Sequence, residues 1–236
     1  MTFHTTRWTL VRHATGHSPE GRQALVDLCT AYYKPVVAFI RREGSEEDAA
    51  RDLAHDFFRQ LLERPSLHGA NQTEGRFRNY LLGAIKHFLA HARERGNRLK
   101  RGGGAIAVPL DAGTDTSPGV ALADHNELPP DRFFDRQWAL AVLERAFAAL
   151  ERERKAAGKD AEFARLKPWL TGDADYGEQA EAARALGLSE GALKVAVHRL
   201  RRRFRELLKA EIAQTLDSPE AVEEEMRHLF SALGGS

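Results

Sequence analysis

The sequence has little cysteine and no long apolar run. Cys29 is the only cysteine among 236 residues, so the chain cannot form an internal disulfide, which is typical of proteins in reducing compartments. No run of 18 apolar residues is present to form a membrane-spanning helix, and residues 1–20 lack the continuous apolar segment of a secretory signal peptide. We therefore expect a cytoplasmic protein with no membrane contact.

Two further absences narrow the fold class and the kind of partner. No segment keeps the period-2 alternation of a half-buried strand, so the sequence predicts an all-α protein. The net charge is only +1, so no overall charge excess indicates a nucleic-acid partner. The charge is instead segregated along the chain, because residues 43–63 carry seven acids and two arginines, whereas residues 76–101 carry eight basic residues and one acid.

Apolar residues at helical spacing predict most of the secondary structure. We expect helices over residues 18–42, 46–64, 76–101, 131–152, 161–170, 178–188 and 189–209. Pro35 should end or kink the first of these helices, because proline removes a backbone donor. Residues 65–75 predict a loop. The Gly- and Pro-rich residues 102–130 predict a flexible linker between two small helical domains, residues 1–101 and 131–212, with an acidic tail at 213–236.

Residues 178–209 have the pattern of a helix-turn-helix, in which the second helix enters the DNA major groove. Gly187 is suited to end the short Ala-rich helix, and Ser189 is suited to cap the longer helix that follows. A basic ridge runs along this second helix, roughly 100° round from its apolar stripe. Its members are Lys194, His198, Arg201 and Arg205.

Taken in order, these segments resemble an extracytoplasmic function (ECF) sigma factor of bacterial RNA polymerase. ALVDLCTAYYKPVVAFIRRE and EDAARDLAHDFFRQLLE are similar to the family's core-polymerase-binding helices. FRNYLLGAIKHFLAHARER is similar to the helix that melts the promoter and reads its −10 element. AEAARALGLSEGALKVAVHRLRRRFREL is similar to the helix-turn-helix that reads the −35 element. The resemblance covers residues 18–101 and 131–209.

This resemblance implies a protein that directs core RNA polymerase to promoter DNA and is not an enzyme, with no cofactor and no metal ion. The implied core-binding residues, facing the β′ clamp helices, are Asp52, Leu53, Asp56 and Phe57, and the β flap is a second implied contact. The implied −10 residues are Asn79, Tyr80, Lys86, His87, His91, Arg93 and Arg95, with Asn71 and Gln72 as further hydrogen-bonding candidates. The implied −35 residues are Ser189, Glu190, Lys194, His198, Arg199, Arg201, Arg202 and Arg203. Of these, Lys194, His198 and Arg201 would face bases, and Arg202 and Arg203 would face phosphates. An anti-sigma protein or a kinase is a further candidate partner.

Two other functions stay open. An ordinary helix-turn-helix regulator would share the recognition helix, but it would not need the second basic segment at residues 76–101. A metal-dependent phosphohydrolase would use Asp52, His55 and Asp56, although such ligands must converge from several helices. His87 and His91 are four residues apart, but they lack the glutamate next to the first histidine that a zinc protease helix requires.

The acidic tail allows two interpretations. Residues 210–236 hold six acids and one arginine, opposite in sign to the seven basic residues and two acids of residues 189–209. A helix over residues 219–232 could return along the recognition helix and compete with DNA phosphates, or it could complete the core of the second domain. Its apolar stripe would consist of Ala221, Val222, Met226, Leu229 and Phe230.

Overall fold

The computed structural model describes residues 18–63, 76–102, 128–171, 179–216 and 218–234, together with Arg7 and Val11. Several predicted features lie outside the described residues. They are the loop at 65–75 with Asn71 and Gln72, the linker between residues 103 and 127, and the side chains of Arg98, Lys100 and Arg101.

Within these ranges the chain forms helices and no strand, which confirms the all-α class. The helices are α1 Pro19–Arg42, α2 Glu47–Glu63, α3 Phe77–Gly102, α4 Pro130–Ala156, α5 Asp160–Leu166, α6 Pro168–Thr171, α7 Gln179–Ala185, α8 Glu190–Ala213 and α9 Val222–Gly234, with a 3-10 turn at Pro219–Ala221. The helix predicted over residues 161–170 is divided before Pro168, since proline cannot donate the hydrogen bond that would continue α5.

Pro35 lies inside α1 and does not end it. Because proline has no N–H, the Ala31 carbonyl loses its donor within the helix. Arg145 of α4 supplies a replacement donor, with Nη1 2.6 Å from the Ala31 oxygen and Nε 3.1 Å from Glu211 Oε2 on α8. The carbonyl is therefore satisfied from outside the helix, and the predicted end of the helix at Pro35 is wrong.

The larger hydrophobic core, called here the first core, is built by α1, α2, α3, the first half of α4, the end of α8 and α9. Phe39 of α1 packs edge-on against Phe134 of α4, with their ring centroids 5.8 Å apart. The start of α3 is joined to the chain after α8 through the backbone, because the Phe77 N–H donates to the Thr215 carbonyl at 3.1 Å. Helices from both predicted domains thus share this core.

The smaller hydrophobic core, called here the second core, is built by the end of α4, by α5, α6 and α7, and by the first half of α8. Its buried members are Leu150, Phe163, Leu166, Trp169, Ala183, Leu193, Val197 and Leu200. Phe204 and Leu207 of α8 pack against both cores. With 27 residues, α4 is about 40 Å long and extends past either core alone. The division into two domains stays a prediction, but the boundary between the cores crosses α4 and α8.

The predicted tail helix is present as α9, and it packs into the first core. Met226 and Leu229 are buried, as the predicted apolar stripe requires, whereas Phe230 is 50% exposed and does not belong to it. Glu223 pairs with Lys209, which lies roughly 22 Å along α8 from Lys194. These contacts favour the interpretation in which the tail helix completes a core over the one in which it covers the recognition helix.

A buried ionic cluster connects α9 with α3 and α4. Arg78 is only 4% exposed, and its Nε donates to Glu225 Oε1 at 3.2 Å. Arg78 also pairs with Asp135 and lies over the Trp138 ring, with its guanidinium carbon 4.6 Å from the ring centroid. His228 Nε2 lies 3.0 Å from Asp135 Oδ2. The basic surface predicted for α3 therefore does not include Arg78.

A double-mutant cycle on Pro35 and Arg145 tests the replacement donor. Arg145→Leu should lower the free energy of unfolding by about 1–3 kcal/mol, because the partly buried Ala31 carbonyl then has no donor. In a Pro35→Ala background the N–H of residue 35 can take that carbonyl, so the loss should be smaller by about 1 kcal/mol. Urea denaturation of the four proteins measures both values. Equal losses in the two backgrounds would show that Arg145 acts only through Glu211.

Candidate nucleic-acid interface

The turn between α7 and α8 places the start of α8 through local hydrogen bonds. Gly187 has φ of +65°, and the Leu188 N–H donates to the Ala183 carbonyl at 2.8 Å. This is the bond pattern of a Schellman motif, whose left-handed residue is usually glycine because a Cβ is strained there. Ser189 Oγ then accepts from the Ala192 N–H at 3.2 Å. The predicted helix end at Gly187 and the predicted cap at Ser189 are both confirmed.

The apolar stripe of α8 packs against the second core, so a basic face of the helix is left exposed to solvent. Leu193, Val197 and Leu200 are buried in that core. The opposite face carries four exposed basic side chains, called here the α8 ridge: Lys194, His198, Arg202 and Arg205. Arg202 Nε lies 3.6 Å from Glu206 Oε1. No ion pair is formed by Lys194 within the described part of the chain.

Two of the predicted −35 residues are held by the protein itself. Arg201 donates from Nη2 and Nε to the Trp169 carbonyl, at 2.7 and 3.2 Å, and so braces α6 against α8. Arg203 forms a bidentate pair with Glu153 of α4, at 2.6 and 2.9 Å, and these hydrogen bonds lower the pKa of the Glu153 carboxyl from its ordinary value. Both arginines are exposed despite these bonds, and the base contact predicted for Arg201 and the phosphate contact predicted for Arg203 stay predictions.

The three remaining −35 residues have different positions. Ser189 is exposed and acts as the cap, and Glu190 is exposed in the first turn of α8. Arg199 is also exposed, about 100° round the helix from His198. All eight predicted −35 residues are thus exposed, and Arg201 and Arg203 differ from the others in being bound to Trp169 and Glu153.

The predicted core-binding residues of α2 lie on two faces. Asp52 and Asp56 are exposed and one turn apart, so they share a surface, called here the α2 acidic face, with the exposed Asp48. Leu53 is partly buried, and Phe57 is 3% exposed, with its ring centroid 5.5 Å from that of Phe88. The Phe57 ring is covered by the first core, and the polymerase contact predicted for it stays a prediction.

The predicted −10 residues of α3 divide between two flanks of the helix. On one flank Lys86 pairs with Asp131, and Arg93 Nη2 lies 2.7 Å from Glu43 Oε2. On the other flank are the exposed His87 and His91. Because about 100° separates consecutive residues, Lys86 and His91 point in clearly different directions.

The other predicted −10 residues include two exposed side chains, Asn79 and Arg95. Tyr80 is partly buried, and its ring centroid is 6.3 Å from that of Phe77. The structure thus leaves Asn79, Arg95 and the two histidines unburied, while Lys86 and Arg93 already have acidic partners.

A cavity of about 920 Å³ lies between α1, α2 and α4. Cys29 lines it, and burial raises the pKa of its thiol to about 12, so no thiolate nucleophile exists there at neutral pH. His55, which the phosphohydrolase hypothesis uses, lies with Nε2 2.9 Å from the Tyr33 hydroxyl. In the described ranges no group of three or more His, Cys, Asp or Glu residues is placed to hold a metal ion.

The chain matches no protein-family model, no curated protein and no solved structure. Among the helices that the structure describes, none has the length and apolar character needed to cross a membrane.

Two glycine substitutions test the turn that places α8. Gly187→Ala should lower the free energy of unfolding by about 1–2 kcal/mol, because its φ of +65° strains any residue with a Cβ. Gly191→Ala is the matched control, since its new Cβ would meet only Ser189 Oγ at 4.0 Å. This control should raise stability by up to about 1 kcal/mol through helix propensity. Urea denaturation measures both, and equal effects of the two changes would contradict the role assigned to Gly187.

Proposed function

We propose that the protein is an ECF-type sigma factor that binds core RNA polymerase and directs initiation at promoters. The observation that carries the proposal is the α7–α8 unit. Its Gly187 turn and Ser189 cap place a helix with a buried apolar stripe and an exposed basic ridge, and these features support the proposal that α8 is the recognition helix of a helix-turn-helix. In this proposal residues 102–130 are the linker between the −10-reading and −35-reading parts.

The proposed −35 contacts are made by the α8 ridge. Lys194 and His198 lie in the first half of the helix, where a recognition helix contacts base edges. Arg202 and Arg205 lie further along and would contact phosphates, which hold the helix in register but carry no sequence information. Arg201 and Arg203 would keep the ridge in position through Trp169 and Glu153, without touching DNA themselves.

The proposed polymerase contact is the α2 acidic face. Asp48 and Asp52 are exposed and have no ion-pair partner within the described ranges, and Asp56 pairs only with the neighbouring Arg59, at 2.8 Å. We propose that the β′ clamp helices meet this face with a basic surface, so that opposite charge would steer the encounter. Leu53, which is partly exposed beside the acids, would add an apolar contact.

The proposed −10 contact is made by α3. Asn79 and Arg95 are exposed, and Tyr80 is partly exposed, so they could provide hydrogen bonds and stacking to unpaired bases. Lys86 and Arg93 would first have to leave Asp131 and Glu43, which are exposed pairs of low strength.

One observation favours a second candidate, an ordinary helix-turn-helix regulator. The first core joins α1–α3 with α4, α8 and α9, whereas a sigma factor must let its two DNA-reading parts reach separate promoter elements. A regulator would keep this shared core when it binds DNA. The two candidates differ in whether the protein binds core RNA polymerase.

Charge reversal on α2 tests the polymerase contact. The double variant Asp52→Lys/Asp56→Lys should weaken binding to core RNA polymerase by about tenfold or more, since like charges across an interface cost several kcal/mol. Glu151→Lys is the control, because Glu151 is also an exposed acid within a helix but lies on α4. A fluorescence titration with purified core enzyme measures both affinities. Absence of binding to core RNA polymerase by the unaltered protein would favour the ordinary regulator. Equal affinities of the two variants for core RNA polymerase would exclude the α2 acidic face as the contact surface.

Substitutions on α8 test the DNA contact, with the bound site first selected from genomic DNA. Lys194→Ala should cost about 1–3 kcal/mol on the selected site, whereas Arg205→Ala should weaken binding evenly across sequences and reduce the salt slope by about one. Lys155→Ala, an exposed lysine of α4, is the control and should have no effect. Equal, sequence-independent losses for Lys194→Ala and Arg205→Ala would contradict base readout by the ridge.

A further inference from the structure

His87 and His91 lie one turn apart on an exposed flank of α3, and their rings converge. The two Nε2 atoms are 3.1 Å apart, and the ring centroids are 4.3 Å apart with an interplanar angle of 76°. In the protein without ligand, one Nε2–H can donate to the lone pair of the other ring. The same two atoms would also present two lone pairs to a single cation if both rings turned these nitrogens outward as acceptors.

The separation of the two nitrogens fits a metal chelate. Imidazole nitrogens bind zinc at about 2.0–2.1 Å. At that distance two ligands of one ion are about 2.9 Å apart in a square-planar or octahedral arrangement and about 3.3 Å apart in a tetrahedral one. The observed 3.1 Å lies between these values. We propose that His87 and His91 bind one divalent transition-metal ion through their Nε2 atoms.

A second contact supports this assignment. Nδ1 of His91 lies 3.6 Å from Glu94 Oε2, on the following turn of the same helix. Metal-binding histidines commonly direct their other ring N–H to a carboxylate, which fixes the tautomer and makes the ligating nitrogen more basic. The 3.6 Å separation is beyond hydrogen-bond distance, so a small movement of the exposed Glu94 side chain would be needed for it to hold the Nδ1 proton of His91 and leave Nε2 free for the ion.

The ligand set defines the class of ion. Two imidazoles suit Cu²⁺, Ni²⁺ and Zn²⁺, whereas Mg²⁺ and Ca²⁺ require oxygen ligands. Because both histidines are exposed, water would complete the coordination, and the ion would exchange readily. Cu²⁺ should bind most tightly, as the usual order of divalent ions predicts. The proposal does not depend on the proposed sigma-factor function, but a bound ion would add positive charge to α3 about 10 Å or more along the helix from Tyr80.

Isothermal titration calorimetry of the untagged chain with Ni²⁺ measures the affinity of the site and tests the proposal. His87→Ala and His91→Ala should each weaken binding at least about tenfold, since even the outer-shell partners of metal ligands contribute about 10–100-fold. The double variant should be no weaker than either single variant, because each single loss already destroys the chelate. Circular dichroism checks that helicity is unchanged, as expected for exposed residues.

Two controls separate this pair from other histidines. His198→Ala removes a lone exposed histidine of α8 and should leave Ni²⁺ affinity unchanged. The double variant His13→Ala/His17→Ala removes two histidines with the same spacing, which lie outside the described residues. Tight Ni²⁺ binding should persist in this variant. Unchanged affinity in His87→Ala, additive losses in the double variant, or loss of the tight site only in the His13/His17 variant would each overturn the proposal.

Discussion

The buried guanidinium of Arg78 determines how the helices of this protein are assembled. A charge that is only 4% exposed must be matched by partners that are buried with it, because an unpaired buried charge costs several kcal/mol. Glu225, itself 1% exposed, provides one partner from α9, and Asp135 provides another from α4. Arg76 Nη1 lies 3.0 Å from the second oxygen of Glu225. Removing either acid would leave part of this charge uncompensated, so α3, α4 and α9 are held together as one unit.

This constraint decides which charges are available at the surface. Two of the eight basic residues at 76–101 pair with acids of α9: Arg78 is buried with its partners, and Arg76, whose side chain is 22% exposed, pairs with Glu224 and Glu225. On α9, Glu224 and Glu225 neutralise the start of α3 and Glu223 pairs with Lys209 of α8. The ridge residues Lys194, His198 and Arg202 stay exposed. The α2 acidic face is exposed, and its side chains have no basic partner from another helix among the described residues.

The helix α8 connects the two cores and so links the proposed DNA contact to the rest of the molecule. Its first half packs in the second core and presents the ridge, while Leu208 and Ile212 near its end are buried in the first core. Arg145 of α4 contacts both Ala31 in α1 and Glu211 in α8. The orientation of the ridge therefore depends on α1, α4 and α8 together, and not on the turn at Gly187 alone.

The sequence by itself determined the features that depend on residues within one or two helical turns. The all-α class, the helix ends at Gly187 and Ser189, and the shared exposed face of Asp52 and Asp56 follow from spacing, φ preference and capping, and the structure shows each of them. Assignment to the sigma-factor family and the division into two domains stay predictions.

Only the tertiary structure decided which candidate site residues are buried or are bound to other groups of the protein. Phe57 and Arg78 are buried, and Arg201 and Arg203 are bound to Trp169 and Glu153, 32 and 50 residues away. Pro35 stays inside a helix because Arg145, 114 residues from Ala31 along the chain, donates the hydrogen bond that Pro35 cannot give to the Ala31 carbonyl. Spacing along the sequence shows which face a residue occupies, but it does not show which distant carbonyl, carboxylate or ring will meet that face once the helices pack.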